Sequence, residues 1–168
     1  IRLSLTELKQ LIVQILVAHN TADHIADQVA QALVDAEADG QKGHGASRVP
    51  SYAGQSRSGK VDGRVTPEVI SLGDAAAIVD ARDGFAYPAI ALAQATLKEA
   101  LQRSPVAAVS IRNTHHSGVV AHHIEPLARD GYIAISMGNG PQAIAPWGGT
   151  RGLFGTNPIG FAAPRENH

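Results

Sequence analysis

Apolar positions along the first forty residues recur every three to four places. Ser4 stands three residues before Glu7, the spacing of a capping box, and Leu8, Leu11, Ile12, Ile15 and Leu16 follow on one helical face. After a break at Asn20-Thr21 that recaps the chain, Ile25, Val29, Leu33 and Ala36 form a second stripe ending near Gly40. The two segments predict an antiparallel helical hairpin. Between Gly40 and Tyr52 glycines interrupt the pattern, yet His44, Arg48 and Tyr52 fall four residues apart each time, so helical winding would set them on one side. Gly54 to Val65, rich in Gly, Ser and charge, reads as a loop or a frayed helix end.

The period then changes. Residues 69–72 and 76–81 read as short strands, 88–102 as a helix, 106–111 as a buried strand, 119–129 as a helix and 132–137 as a strand, before a Gly/Pro-rich segment from Gly138 to Pro164. Strands alternating with helices predict an α/β fold: a helical N-terminal lobe over residues 1–65, then a mixed-sheet α/β domain over 66–168 with some parallel pairing. No internal repeat or low-complexity tract is visible.

Composition narrows the function. With 44% hydrophobic and 17% charged side chains, 168 residues suffice for one core or most of one. No apolar run approaches the roughly 20 residues that span a bilayer, and the start does not read as a charged region followed by an apolar block, so no membrane partner and a cytoplasmic address are expected. Fourteen basic residues against fifteen acidic ones leave a net charge of −1, with no basic cluster interleaved with aromatics; nucleic acid is not an expected partner. Cysteine is absent, so chemistry must come from His, Arg, carboxylates and hydroxyls.

Several candidates follow. In α/β sheets ligands sit beyond the carboxyl ends of strands, and Ser110-Ile-Arg-Asn-Thr-His-His-Ser-Gly118 leaves a strand and enters a helix. Ser117 and Gly118 would let a pyrophosphate approach backbone N–H groups there; helix capping by Asn113, Thr114 or Ser117 explains the same residues. His115, His116, His122 and His123 raise a metal question, but Glu125 is the only acid nearby, so no metal is expected. Asp35, Glu37 and Asp39 read as a solvated face. There is no G-x-G-x-x-G, Walker A, G-x-S-x-G or H-E-x-x-H sequence. In His44 and Arg48 the chemistry is complementary: a guanidinium grips a carboxylate in bidentate fashion, and an imidazole exchanges a proton with a neighbouring oxygen. A 2-oxo or 2-hydroxy acid presents those two groups side by side. The alternative is a structural pairing of Arg48 with Glu37 or Asp39.

Gly43-His-Gly-Ala-Ser-Arg-Val-Pro-Ser-Tyr52 resembles the His-Gly-x-x-Arg-x-Pro signature of the type-2 malate/L-lactate dehydrogenase family, which includes ureidoglycolate and sulfolactate dehydrogenases, diketogulonate reductase and Δ1-piperideine-2-carboxylate reductase. Asn113-Thr-His-His-Ser-Gly118 is similar to a second family segment, and Gly138-Asn-Gly140, Ala145-Pro-Trp-Gly-Gly149 and Leu153 through Pro164 to a third, in the same order over nearly the whole chain. The resemblance implies an oxidoreductase that transfers a hydride between NAD or NADP and a small 2-hydroxy or 2-oxo acid, or a related imino acid, on a non-Rossmann NAD(P)-binding fold. It makes His44 the acid–base residue and Arg48 the substrate-carboxylate residue. It places His116, Gly118 and Asn139 in the cofactor cleft, with Thr156, Asn157 and Pro158 near the nicotinamide; for Asn157-Pro158 a turn with the asparagine bonding its own backbone is equally open. Tyr52 reads better as a buried ring under the proline turn than as a substrate contact. Many family members carry Ser where this chain has Gly43. Family subunits are longer, which implies an incomplete cofactor domain here, with the acidic partner of the histidine beyond residue 168, and a homodimer or a companion C-terminal chain. A non-catalytic ligand-binding or assembly fragment of that scaffold is the alternative.

Overall fold

The computed structural model describes residues 2–165. They form two compact units, one ending at Gly118 and one starting at Val119.

The first unit opens with α1 (Leu5–Ala18), held by the predicted capping box: the Glu7 N–H donates to Ser4 Oγ at 3.2 Å and the Glu7 carboxylate accepts from the Ser4 N–H at 2.8 Å. Asn20 makes the reversal at φ 67°, but α2 (Asp23–Ala38) starts at Ala22 without a side-chain cap. Thr21, the obvious capping hydroxyl, is instead buried and shares a 2.9 Å hydrogen bond with Ser56 Oγ. This couples the hairpin to the next helix. Gly63 closes the same corner: its carbonyl accepts from the Ala22 N–H at 2.9 Å, and a Cβ there would collide with Ser56 Oγ.

Past Gly40, at φ 73°, two single 3-10 turns, Lys42–His44 and Ala46–Arg48, lead into α3 (Val49–Arg57), with Pro50 in its first turn where no N–H is needed. The winding expected around His44, Arg48 and Tyr52 is present. The helix continues beyond Gly54, where the sequence suggested a loop or frayed end, because Tyr52, Ala53 and Ser56 are buried against the hairpin. The three helices enclose Ile12, Leu16, Ile25, Val29, Leu33 and Tyr52, to which Val61, Phe85 and Tyr87 add from the following segments.

The sheet of this unit is mixed, in the order β1-β2-β3. β1 (Glu68–Ser71) runs antiparallel to β2 (Ala76–Gly84), and β2 parallel to β3 (Ala108–Thr114), with α4 (Ala86–Ala100) as the crossover. Val79, Ala81, Ala89 and Ala93 form a second small core between strand and helix. β2 outlasts its expected end at Ala81. Arg82 and Asp83 bulge out at φ 54° and 61°, a pair that reads as a turn in sequence, and pairing resumes at Gly84 opposite Thr114.

In the second unit α5 (Ala121–Arg129) covers one face of an antiparallel pair, β4 (Ala134–Met137) and β5 (Ile159–Ala162). β5 hides in the Gly/Pro-rich segment, since a four-residue strand with Gly160 at its centre carries almost no periodic signal. Gly160 is required there because Val120 and Ile124 lie against its inner face. The outer face carries the cross-strand pairs Ile135 with Phe161 and Met137 with Ile159, all exposed. Among the described residues no helix is long and apolar enough to cross a membrane.

Candidate active site

The first unit brings together His44, Arg48, Tyr52, His116 and Gly118 from segments far apart in the chain. Glu37, which sequence assigned to a solvated acidic face, is half-buried and accepts a 2.8 Å hydrogen bond from the Ala46 N–H. It thereby pins the 3-10 turns onto α2, while Asp35 and Asp39 are exposed as expected. Arg48 does not fall back on Glu37. Its Nε donates to the Gly43 carbonyl at 2.6 Å, which orients the guanidinium plane and leaves its terminal nitrogens to act elsewhere. A side chain at Gly43 would meet open space.

His44 is half-buried, and its ring stacks on that of His116 with centroids 5.5 Å apart and planes 3° from parallel. Its Nδ1 is sealed from solvent without a partner among the described residues. Burial, and then the nearby Arg48 charge, hold its pKa below the ordinary histidine value; burial followed by Arg48 and His44 does the same to His116. The Arg48 guanidinium is thus the positive charge felt by both rings, and it suits a carboxylate or phosphate.

Tyr52 is buried as expected, but its hydroxyl is engaged in the site. It lies 2.8 Å from His116 Nδ1 and 3.4 Å from the Tyr87 hydroxyl. Burial raises the pKa of both phenols, so they stay protonated. The Gly118 N–H also reaches His116 Nδ1, at 3.3 Å. Gly118 sits at φ +72°, and a Cβ would come within 2.7 Å of the Tyr87 hydroxyl oxygen, so only glycine lets the loop close on the tyrosines.

His115 turns the other way, edge-on to Tyr52 and Phe85, with its Nδ1 unpartnered among the described residues. Burial, then His116 and Lys60, push it down to about 4. Between that value and 6.5 the unfolded chain binds the proton more readily than the folded one, so stability rises with pH across the window and is lost as pH falls toward 4. We expect thermal unfolding scans to show that fall, with His115→Phe removing most of it; an unchanged pH slope in the variant would assign the sensitivity to other groups.

The loop carrying these histidines leaves β3 under the control of Asp80. This buried carboxylate accepts from the Arg82 N–H at 2.9 Å, from Asn113 Nδ2 at 3.0 Å and from Arg112 Nε at 2.8 Å, and these bonds hold its pKa below the usual range in that order of size. Asn113, at φ 50°, therefore sets the loop's exit and does not cap a helix; α5 has no side-chain cap at all. Asp80 and Tyr87 are residues that sequence reasoning missed, and Glu37 is one that it placed in solvent. Only Asp80 left a signal, as a lone carboxylate in the apolar run Ala76–Ala81.

The remaining expected cofactor residues lie in the second unit. The Gly140 N–H donates to Asn157 Oδ1 at 2.9 Å and the Gly138 N–H to the Pro158 carbonyl at 3.0 Å, with Thr156 beside Gly140. Asn157, at φ 40°, ties the two loops together, so its side chain is more than a local turn. Asn139, Thr156, Asn157 and Pro158 are all exposed. His122 and His123 lie on α5, and no three described His, Asp or Glu side chains converge as metal ligands.

A sequence model of the malate/L-lactate dehydrogenase family matches residues 3–168. The chain is 44% identical over 98% of its length to a (2R)-3-sulfolactate dehydrogenase (NADP(+)) of Chromohalobacter salexigens, covering 49% of that protein. It is 40% identical over 96% of its length to a Δ1-pyrroline-2-carboxylate/Δ1-piperideine-2-carboxylate reductase of Pseudomonas syringae, covering 47% of that protein. A crystal structure of Δ1-piperideine-2-carboxylate reductase from P. syringae superimposes with a TM-score of 0.90 at 39% identity, over 99% of this chain and 50% of that one. Malate dehydrogenase from Pyrococcus horikoshii gives 0.91 at 30% identity, over 100% and 48%. The chain spans about half the length of the curated relatives it matches.

Proposed function

The chain belongs to the malate/L-lactate dehydrogenase family, and from that premise we propose that it carries the acid–base and substrate-gripping half of an NAD(P)-dependent reductase acting on a carboxylate-bearing ketone or imine. The observation that carries this reading is the placing of Arg48 and His44 on one short wound segment, with the His44 ring stacked against the loop at the carboxyl end of β3. Sulfolactate, malate and the cyclic imino acids in the relatives' names share one motif, a carboxylate next to a carbon that gains or loses a hydride.

The residues present suit a nicotinamide dinucleotide. Arg48 supplies a positive charge, the 113–118 loop is closed by a glycine whose Cβ position is filled by Tyr87, and Nδ1 of His44 is an orphan that needs an enclosing partner. Within the first unit His116 and Gly118, and within the second Asn139, Thr156, Asn157 and Pro158, are the residues that would contact the cofactor, NAD or NADP. When bound, it supplies or accepts the hydride. Arg48 holds the substrate carboxylate, and its bond to Gly43 keeps the guanidinium plane oriented before the substrate arrives. His44, in its protonated form, gives a proton to the developing alkoxide or amine during reduction and takes it back in oxidation. With Nδ1 sealed, exchange runs through Nε2.

The activity belongs to a polypeptide of the relatives' length or to this chain with a companion C-terminal chain, assembled as a homodimer in the cytoplasm. The half-length coverage and the exposed apolar face of β4 and β5 support a covering partner supplied by that second half.

Arg48→Ala in the complete protein should raise the KM for a 2-oxo acid by roughly 10–100-fold, the loss expected for a charge-assisted contact, with a smaller change in kcat. Arg48→Lys should recover little, because a point charge does not reproduce the fork. The direct assay is NADH and NADPH oxidation with a panel of 2-oxo acids and cyclic imino acids. Turnover with neither cofactor would overturn the reading in favour of a non-catalytic binding or assembly fragment.

A further inference from the structure

His44 and His116 are stacked neighbours, and either could be read as the proton carrier. We propose that they divide the work: His44 exchanges protons, while His116 is a neutral hydrogen-bond donor locked in one tautomer, with Tyr52 as the positioning residue that locks it.

A backbone N–H can only donate. The Gly118 N–H aimed at His116 Nδ1 at 3.3 Å therefore requires a lone pair on that nitrogen. The Tyr52 hydroxyl, 2.8 Å from the same atom, must then donate to it as well. The other acceptor within its reach, the His116 carbonyl, is more distant at 3.4 Å. Having given its proton to Nδ1, Tyr52 is left to accept from the Tyr87 hydroxyl at 3.4 Å. The chain of hydrogen bonds has one direction, from Tyr87 through Tyr52 to His116. The single proton of the neutral imidazole is consequently on Nε2, at the exposed edge of the ring.

The assignment has a chemical consequence. Two donors occupy Nδ1 and a proton occupies Nε2, so neither nitrogen can take a proton from substrate without breaking the buried chain beside the Arg48 charge. His116 offers one fixed N–H to a ligand oxygen. The His44 ring has a sealed, unpartnered Nδ1 and no described contact at Nε2, which is left for exchange. The ligand oxygen is a carbonyl, carboxylate or phosphate oxygen and belongs either to the substrate or to the dinucleotide, a point that rests on the dehydrogenase reading; the tautomer does not.

The test is a nitrogen NMR spectrum of the complete protein labelled with 15N-histidine. His116 should show an unprotonated Nδ1 and a protonated Nε2; a protonated Nδ1 overturns the proposal. Tyr52→Phe, which keeps the buried ring but leaves only the longer Gly118 N–H contact on Nδ1, should shift the Nδ1 resonance as the stronger donor is lost and raise one KM about tenfold. A rise for NAD(P)H assigns the ligand oxygen to the cofactor, and a rise for the 2-oxo acid to the substrate. His116→Gln retains a side-chain N–H and should keep more affinity than His116→Leu, with the pH limb of reduction unmoved in both. A shifted or abolished limb in His116→Gln would mean that His116 itself carries the proton and the division of roles is wrong. Should the wild-type protein oxidise neither cofactor, the dehydrogenase reading fails, and the NMR result still decides the tautomer. Should Tyr52→Phe not fold, the wild-type spectrum and His116→Gln decide between the outcomes.

Discussion

His44→Ala in the complete protein should lower the rate of NAD(P)H-dependent reduction by roughly 100-fold or more, the usual contribution of a positioned acid or base, while leaving the KM for substrate near its original value. The KM should be spared because, in the roles proposed, Arg48 grips the carboxylate independently of the imidazole, its guanidinium being held by the Gly43 carbonyl. The pH profile makes the test sharper. In the proposed mechanism reduction needs protonated His44, and burial together with Arg48 lowers its pKa from 6.5. The kcat/KM for reduction in the wild type should therefore fall as pH rises through a point below that value, and oxidation should show the opposite limb. His44→Ala should abolish the limb as well as the rate. Steady-state kinetics across pH with one 2-oxo acid would check both; a rate within a few-fold of wild type would remove His44 from the reaction.

The second large effect concerns stability. Leu33 is fully buried at the junction of α2 with α1 and α3, packed with Leu16, Ile25, Val29 and Tyr52. Leu33→Ala should destabilise the protein by about 2–5 kcal/mol, combining the lost transfer energy with a cavity that three packed helices cannot collapse to fill. Because Tyr52 spans this core and the site, the same change should loosen the hydroxyl's hold on His116. Urea titration followed by circular dichroism would measure the loss, and a shift under 1 kcal/mol would mean that the helical lobe repacks freely.

Much of the helical hairpin was legible because its information is local. A capping box, a four-residue stripe and a terminal glycine act within one or two turns, and α1, α2 and the wound segment at His44 followed them. β2 and β5 were harder. The bulge at Arg82 and Asp83 looks like a turn, and β5 is four residues long around Gly160, whose reason is the pressure of Val120 and Ile124. Residues of the site divide in the same way. His44 and Arg48 are four apart in the chain, so spacing alone suggested their partnership. Tyr52 and His116 are 64 residues apart, and no local pattern relates them.

The sequence by itself therefore determined the helical hairpin, the alternation of strand and helix, the exclusion of thiol chemistry and the winding that sets His44 and Arg48 close together. Periodicity, capping and residue chemistry are short-range properties, readable one window at a time. Tertiary structure alone decided that Glu37 pins the active turn, that Asp80 sets the exit of the 113–118 loop, and that Tyr87, Tyr52 and the Gly118 N–H converge on one nitrogen of His116. Those contacts arise only when burial brings distant polar groups together away from water, where each must find a partner.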